Sequence, residues 1–417
     1  MTTPTTKRPT NLDDESKGLV VSVDQRLHRE VVEFISCIES TPSEKFIRQE
    51  VFRRIQDTIL MSSYEFGGDV QVGLYGSVPL GIELPTADLD ISITALGMKR
   101  TAQQALKRAA ILLKKAGVVS EFQGRYHARV PLVCAKTTAS LGGIGVDITI
   151  NNATGFSGIE EIRKYLSKMP ALRPLVLVLK SFLHQRGLSD PAMGGLGSYA
   201  LTCMCISFIQ LNPGKRPTEC TEKPMEKESL GILLTDFMMY YGVDFPYDQS
   251  YISASQGKLL PKSSASDWIK TSQELKISIE CLVVPKNDIG RPTSKMNVIK
   301  AEFKSAVATL LQGSFTHTDI LSSVVCIDRV TLKAREDLHR AVVALQTEQQ
   351  QPLNHRYHNQ PMSDKRANNQ LARHENHRNS NHRRMQHPLP AKPSFFPYPS
   401  RPAQTGSGEG LPRRGGR

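Results

Sequence analysis

The sequence has few cysteines, and no two of them form a C-x-x-C pair. Its seven cysteines are scattered through 417 residues, whereas zinc frameworks and small secreted domains use cysteines at short, regular spacings. This excludes a zinc-ribbon protein and a disulfide-stapled scaffold. The simplest interpretation is a chain that folds in a reducing compartment.

Long apolar runs are also absent. No uninterrupted stretch approaches the ~20 residues needed to cross a bilayer. The first residues, MTTPTTKRPTNLDDESK, lack the apolar core of a secretory signal peptide. We therefore expect a soluble intracellular protein that has no membrane partner.

What the chain does have is length and positive charge. Its 417 residues are 39% hydrophobic, which is enough for two or three packed domains. The formal net charge is +13, and residues 347–417 contribute much of it, with twelve Lys and Arg against four Asp and Glu. That segment is rich in Arg, His, Asn and Pro and has almost no aliphatic periodicity, so it should not pack.

Hydrophobic periodicity predicts the fold class. Apolar residues three to four apart predict two helices between residues 23 and 62, with a TPSE capping box between them. Short alternating segments then predict strands with an interposed helix, and long apolar helices follow. The predicted strands are 69–75, 87–94, 128–134 and 145–150, and the further predicted helices are 101–116, 172–185, 198–211, 229–241 and 294–311. The predicted class is α/β (α+β): a mixed-sheet domain, then a mostly helical domain.

The same patterns predict how the chain divides. The predicted parts are a disordered N-terminus at 1–22, a helical segment at 23–47 that packs with the helical domain, a mixed α/β domain at 48–159, the helical domain at 160–345, and a disordered basic tail at 346–417.

Three acidic residues occupy positions where a folded protein rarely keeps them. Asp88 and Asp90 lie two apart on a predicted strand, so both carboxylates project from the same face, and Asp147 lies in a second apolar strand, GVDITI. Carboxylates held together repel one another unless a cation neutralises them. All-oxygen sites suit Mg²⁺. The pattern predicts a pair of ions that bridge a nucleoside triphosphate and an attacking hydroxyl.

A small motif precedes these acids. Gly76 and Ser77 follow the predicted strand DVQVGLY, with ten residues between Ser77 and Asp88. A glycine there lets the backbone approach a phosphate, while the serine hydroxyl and the backbone N–H groups can donate to it. Each element alone is weak. The ordered set of strand, GS, DLD and a third Asp is specific.

These residues resemble the nucleotidyltransferase signature of the DNA polymerase β superfamily. The segments IGVDITINNATGF, RPLVLVLKSFLHQRGLSDPAMGGLGSYALTCMCISFIQLNP, LGILLTDFMMYYGVDFPY and VVPKNDIGRP further resemble the non-canonical poly(A) RNA polymerases of the nuclear RNA-surveillance (TRAMP-type, topoisomerase-related) branch. The similarity spans about residues 27–311. It implies a polymerase-β-like catalytic domain, a central poly(A) polymerase-associated domain, two Mg²⁺ or Mn²⁺ ions, and transfer of AMP from ATP to RNA 3′ ends.

The resemblance also implies which side chains bind the nucleotide. Lys180 lies in a helix that is apolar nearly all round, where an ammonium needs a fixed anion, although a surface lysine would also fit the pattern. The GGLGSY segment begins the next helix, whose N-terminus favours phosphate. The nucleotide-binding residues implied are Gly76, Ser77, Asn151 (with Asn152 as second choice), Lys180, Ser198, Tyr199 (stacking on the base), Asn287, Asp288 and Arg291. His184, one turn after Lys180, lies where some relatives have a second lysine, but a surface histidine is equally consistent.

Base selectivity stays open at the sequence level. Asn287, Asp288 and Arg291 lie where the family has its nucleotide-recognition loop, but the acidic-proline flank of that loop here reads Glu280-Cys281-Leu282-Val283-Val284-Pro285. A terminal uridylyltransferase would share every catalytic residue. An inactive surveillance scaffold usually lacks a metal carboxylate, and a small-molecule nucleotidyltransferase would lack the GGLGSY and NDIGR segments. Adenylate transfer is the preferred hypothesis.

No RRM, KH or zinc-knuckle pattern is present in the sequence. RNA affinity must then come from the basic tail, whose arginines alternate with aromatic residues, or from another subunit. Family members typically act with a zinc-knuckle RNA-binding protein and an RNA helicase. By resemblance we expect these partners, RNA 3′ ends as substrate, and a nuclear or nucleolar location.

Overall fold

The computed structural model describes residues 22–269, 276–313 and 319–350, all within a first compact unit that spans residues 1–350. The predicted disordered N-terminus, apart from Ser22, and the predicted tail from residue 351 onward lie outside the described residues. Within the described ranges, no helix is both long and apolar enough to span a bilayer.

A five-stranded mixed sheet forms the first half of the fold. The strands are β1 (Gln71–Tyr75), β2 (Leu89–Thr94), β3 (Val119–Arg125), β4 (Leu132–Thr137) and β5 (Gly145–Ile150). Their spatial order is β1-β2-β5-β4-β3. β2 and β5 pair in parallel, and the other neighbours are antiparallel.

The two faces of this sheet differ because side chains alternate along each strand. On one face, Leu89, Ile91, Ile93, Val146 and Ile148 are fully or almost fully buried. They pack into one hydrophobic cluster with α2 (Pro42–Met61) and α3 (Ala102–Lys115). The opposite face carries the polar residues of the same strands. The alternation visible in the sequence therefore places one face in the core and leaves the other for the site.

A second hydrophobic cluster joins the long helices. It contains the apolar sides of α1, α5, α6, α8 and α9. The helices after the sheet are α4 (Ala153–Lys168), α5 (Leu172–Gln185), α6 (Ser198–Leu211), the short α7 (Glu219–Glu222), α8 (Leu230–Met239), α9 (Met296–Gly313) and α10 (Arg329–Gln350), and α1 (Val23–Ile38) precedes the sheet. The predicted capping box is confirmed, since Thr41 accepts from the Glu44 N–H while the Glu44 carboxylate accepts from the Thr41 N–H. The predicted α/β class with an added helical region is confirmed.

Several elements have no counterpart in the sequence prediction. These are β3, α4, α10 and a hairpin of β6 (Ser250–Ser253) and β7 (Lys258–Pro261). The sequence assigned residues up to 345 to the helical domain, but the structure differs there. Leu338, Ala341, Val342 and Leu345 of α10 are buried in the cluster of the sheet domain, so α10 covers the apolar side of that domain.

Candidate active site

The three predicted acidic residues meet on the polar face of the sheet. Asp90 on β2 lies beside Asp147 on β5 in the strand register, so the two side chains share that face. Asp88 is the residue immediately before β2 and is not itself in the strand. The observed strand therefore begins two residues later than the predicted strand 87–94. Its side chain still lies with the other two, because Asp88 and Asp90 are separated by one residue of extended chain.

Two glycines make room for these carboxylates. A Cβ on Gly76 would lie 1.9 Å from Asp90 Oδ2, and Gly76 also has a left-handed φ of 76°. A Cβ on Gly145 would lie 1.9 Å from Asp88 Oδ1. Real Cβ atoms do not approach oxygen so closely, so any side chain at either position would displace a carboxylate. Asp90 and Asp88 can keep these positions only because residues 76 and 145 are glycines.

Burial raises the pKa of all three acids, and repulsion within the cluster adds to the rise for Asp88 and Asp90. The pKa of Asp90 rises to about 7, mainly because of burial and then because of the charges of Asp147 and Asp88. Burial likewise raises the pKa of Asp88, with a further contribution from Asp147. The pKa of Asp147 is also raised by burial. A bound cation would offset this cost, since opposite charge favours the ionised carboxylate.

The donor set suits hard divalent ions. Carboxylate oxygens that face an open polar surface are the ligands Mg²⁺ and Mn²⁺ prefer. In the part of the chain that the structure describes, however, no three His, Cys, Asp or Glu side chains are already gathered into a coordination shell. The three acids fit the ions chemically, and their raised pKa values show that burial disfavours the ionised carboxylates.

A cavity of about 240 Å³ opens beside Asp88 and Asp90; we call it the first cavity. Among its lining residues are the predicted Ser77, Lys180 and Ser198. Residues 77, 180 and 198 are far apart in sequence, so the packing of the helices against the sheet brings them together.

Lys180 is the best-positioned cation of the first cavity. It is 7% exposed, and its Nζ donates to the carbonyl oxygen of Ile82 at 2.7 Å. Burial lowers its pKa to about 8, while the nearby charges of Glu83 and Asp90 oppose that shift. His184 also lines the cavity, and its Nε2 lies 3.4 Å from Thr86 Oγ1.

Arg48 is a site residue that sequence reasoning missed. It is 3% exposed and donates to the carbonyl oxygens of Ala87 at 2.6 Å and Pro85 at 2.8 Å. These bonds fix the segment that leads into Asp88. The available signal was its spacing, because Arg48 lies three residues before Val51 on the buried face of α2. A charged residue on an apolar stripe indicates a specific buried partner.

The predicted ribose and base residues each have a hydrogen-bond partner within the fold. Asn151 accepts from the Ala95 N–H at 2.8 Å, so its amide oxygen is used to tie β5 to the end of β2. Asn152 caps α4 through the Gly155 N–H. Tyr199 is half-buried, and its hydroxyl lies 3.6 Å from Cys281 Sγ. These three residues are not among the residues that line the first cavity.

The predicted recognition loop is held by its own residues. Asp288 is buried, and its Oδ1 accepts from the N–H groups of Ile279 at 3.0 Å and Gly290 at 2.8 Å. Burial raises the pKa of Asp288. Its carboxylate therefore stabilises the loop from inside.

The two neighbours of Asp288 in the motif bind elsewhere. Asn287 Oδ1 accepts from the guanidinium of Arg129 at 2.6 Å, a contact between the β3–β4 connection and the loop. Arg291 is exposed and donates to the Trp268 carbonyl at 3.2 Å.

Comparison with known proteins shows which proteins this chain is similar to. The family profile described as "Poly(A) RNA polymerase, mitochondrial-like, central palm domain" matches residues 27–167, and the profile "Cid1 family poly A polymerase" matches residues 229–280. The solved polymerase core of TRAMP, an RNA surveillance complex, has a TM-score of 0.64 and 27% identity, and the match covers 73% of this chain and 95% of that structure.

Curated relatives agree with these matches. The chain is 32% identical over 332 residues to "Poly(A) RNA polymerase cid14" of Schizosaccharomyces pombe, covering 76% of this chain and 47% of that protein. It is 29% identical over 307 residues to "Inactive non-canonical poly(A) RNA polymerase protein Trf4-2" of Drosophila melanogaster, covering 73% and 72%. The chain spans about half the length of cid14 and of two further curated poly(A) RNA polymerases, at 47%, 45% and 48%. The resemblance inferred from the sequence is confirmed: over about three quarters of its length the chain is similar to non-canonical poly(A) RNA polymerases.

Proposed function

We propose that this protein is a template-independent RNA 3′-terminal nucleotidyltransferase that adds AMP from ATP to RNA 3′ ends. The observation that carries the proposal is the meeting of Asp88, Asp90 and Asp147 on the polar face of the sheet, beside a cavity lined by Lys180, Ser77 and Ser198. Similarity to poly(A) RNA polymerases supports the same activity.

The proposed reaction is in-line displacement at the α-phosphorus. The acceptor 3′-oxygen forms a bond to the α-phosphorus, and the bond from that phosphorus to the pyrophosphate leaving group breaks. Asp88 and Asp90 would hold both Mg²⁺ or Mn²⁺ ions, and Asp147 would add a ligand to one of them. When bound, such ions neutralise phosphate charge and lower the pKa of the attacking hydroxyl.

Asp147 also has a candidate role in proton transfer. Its carboxylate lies beside Asp90 on the polar face of the sheet, where the acceptor hydroxyl would bind. We propose that Asp147 accepts the proton of the 3′-hydroxyl as the new bond forms, and releases it to solvent after pyrophosphate leaves.

The residues of the first cavity would bind the triphosphate. Lys180 presents a buried ammonium whose present hydrogen bond goes to a single carbonyl oxygen, so it retains donors for phosphate. Ser198 lies at the N-terminus of α6, a helix of 14 residues, where backbone N–H groups favour negative charge. Ser77 and the backbone at Gly76 would contact the phosphates from the sheet side.

The proposed nucleoside contacts do not line the first cavity. Tyr199 offers an aromatic ring for stacking on the base. Asn151 is the proposed ribose contact, with Asn152 as second choice, and the amide oxygen of each already accepts from a backbone N–H, that of Ala95 for Asn151 and that of Gly155 for Asn152. In the recognition loop we propose that Asn287 and Arg291 read the base edge while Asp288 holds the loop in shape.

Partners and location follow from similarity to the TRAMP core, whose name describes an RNA surveillance complex. We propose that RNA 3′ ends are the substrate, and that a zinc-knuckle RNA-binding protein and an RNA helicase act with the chain in the nucleus or nucleolus. The basic segment beyond residue 346 would add non-specific RNA affinity.

An inactive scaffold is the second candidate, because one relative is described as inactive. Against it stand three intact carboxylates, together with Gly76 and Gly145, which give them room. A uridylyltransferase remains an alternative, since base choice depends on the loop.

The test incubates purified protein with a 5′-labelled RNA oligonucleotide, Mg²⁺ and each nucleoside triphosphate in turn. We expect extension with ATP, loss of extension in Asp88→Ala/Asp90→Ala, and normal extension in Asp69→Asn, which removes an exposed acid away from the site. Extension mainly with UTP would assign the chain to the uridylyltransferases. If no nucleotide is added even with a zinc-knuckle partner present, the scaffold hypothesis is correct.

A further inference from the structure

A second cavity adjoins the first at Thr86 and Asp88, which line both. Its volume is about 480 Å³, twice that of the first cavity. The first cavity extends toward the helices of Lys180 and Ser198, whereas the second extends over β4 and β5. The three acids therefore stand between two separate openings.

The walls of the second cavity come from the polar face of the sheet. Strand pairing sets Asp147 on β5 opposite Cys134 on β4, and Cys134 opposite Gln123 on β3. Lys136 and Arg125 lie two residues from Cys134 and Gln123 on their strands, so they share this face. A polar surface therefore runs from Asp147 to the edge strand of the sheet.

Two cationic side chains, those of Arg125 and Lys136, lie on this surface. Both are exposed and line the second cavity. Among residues 22–269, 276–313 and 319–350, neither side chain makes a hydrogen bond or an ion pair. Arg125 is near enough to the acids that its charge opposes the rise in pKa of both Asp88 and Asp147.

Within the described residues, the acidic neighbours of these cations form no ion pair with them. Glu121 lies across from Lys136 in the register but forms no ion pair with it in the described part of the chain. Asp190 also lines the second cavity, yet its Oδ1 accepts from the Ala192 N–H at 2.8 Å. The surface next to Asp147 therefore carries two positive side chains that are outside any ion pair of the described residues.

We propose that the second cavity binds the 3′-terminal segment of the acceptor RNA, and that Arg125 and Lys136 contact its backbone phosphates. This inference rests on the proposed function. In-line attack requires the acceptor oxygen to approach the α-phosphorus from the side opposite the pyrophosphate. If the triphosphate occupies the first cavity, the acceptor must arrive through another opening, and the second cavity leads to Asp147.

The dimensions fit a short RNA end. Adjacent strands lie about 4.8 Å apart, so β5 and β3 are separated by about 10 Å. At about 3.4 Å per stacked nucleotide, that distance covers roughly three nucleotides. Arg125 and Lys136 are thus positioned for phosphates of the last few nucleotides, and they act by positioning the acceptor.

The test compares Arg125→Ala/Lys136→Ala with Lys114→Ala/Lys115→Ala in full-length protein. The control pair removes the same charge from the exposed end of α3, the helix packed on the apolar face. With a labelled oligoadenylate, ATP and Mg²⁺, we expect the KM for RNA to rise roughly tenfold in the first variant, with the KM for ATP unchanged. The slope of log affinity against log salt should fall by about 1.4, or about 0.7 per lost phosphate contact.

The outcomes separate the two proposals. If the wild-type protein extends no RNA with any nucleotide, the proposed function fails. If it extends RNA but the first variant matches the control in KM for RNA and in salt slope, the proposed acceptor site is wrong. A rise in the KM for ATP as large as that for RNA would also overturn it, because the effect would then lie in the nucleotide site.

Photocrosslinking gives an independent measurement on unmodified protein. An RNA with 4-thiouridine in its last three positions should crosslink to peptides that contain residues of β3 and β4. Crosslinks restricted to α5, α6 and α9 would refute the proposed acceptor site even if the variants were impaired.

Discussion

A methyl group added at residue 145 should abolish most of the activity without harming the fold. In Gly145→Ala, the new Cβ would lie 1.9 Å from Asp88 Oδ1 and 2.7 Å from its Cγ. Ordinary contacts between carbon and oxygen are near ~3.5 Å, so the Asp88 carboxylate must move by more than ~1 Å. A misplacement of that size costs about 100-fold in rate, which corresponds to about 2.7 kcal/mol in the activation free energy.

Stability should change in the opposite sense. Gly145 lies in β5, where alanine restricts the unfolded chain more than glycine does, a gain of up to about 1 kcal/mol. The Asp88 side chain can rotate away and so relieve the clash. We therefore expect a melting temperature equal to or above that of the wild type, together with a strongly reduced kcat.

The measurement is steady-state RNA extension combined with thermal unfolding. The control is Gly158→Ala, where the nearest atom to the added Cβ is a ring carbon of Tyr199 at an ordinary 3.7 Å; its kcat should stay within about twofold of wild type. A Gly145→Ala variant with wild-type kcat would show that the position of Asp88 does not limit the reaction. A variant that loses kcat only because it unfolds would also refute the reasoning.

Three further perturbations test the electrostatics of the site. Because the pKa of Asp90 is raised from 3.8 to about 7, its carboxyl destabilises the metal-free fold progressively as the pH rises from about 4 to 7. Asp90→Asn should therefore raise the free energy of unfolding by up to ~4 kcal/mol near pH 8 and have little effect near pH 3.5. Urea titrations at both pH values that show no difference would contradict this. The pKa of Lys180 is lowered to about 8, so its ammonium should lose its proton as the pH rises above 8. The KM for ATP should then increase above pH 8 in the wild type but stay constant in Lys180→Met. Parallel pH profiles of KM in the two proteins would exclude the proposed phosphate contact. Arg48→Ala removes two hydrogen bonds to backbone carbonyls and should cost about 3 kcal/mol of stability and lower kcat, whereas Arg54→Ala, on a more exposed face of α2, should do neither.

Much of the fold could be predicted because its elements are locally encoded. Helices α5 and α6 have the bounds that their apolar periodicity predicts, and β5 coincides with the alternating segment GVDITI. Elements with weak local signals were missed. β3 is an edge strand with several exposed residues, and α10 is amphipathic but surrounded by polar sequence.

The chemistry of the site was largely determined by the sequence. Asp88, Asp90 and Asp147 appear in it as acids in strand-forming segments, and residue spacing alone indicates that Asp88 and Asp90 share a face. That inference needs only the two-residue period of a strand. It requires no knowledge of which strands are neighbours.

Tertiary structure decided what surrounds those acids. The contact of Gly145 with Asp88, the bonds from Arg48 and the link between Lys180 and Ile82 join residues that are distant in sequence. The parallel pairing of β2 with β5, and the antiparallel neighbour β4, set Arg125 and Lys136 beside Asp147. Such pairings depend on strand order and register, which local periodicity does not encode. The sequence alone thus determined which groups could do chemistry, and the packing of sheet against helices determined where each substrate could enter.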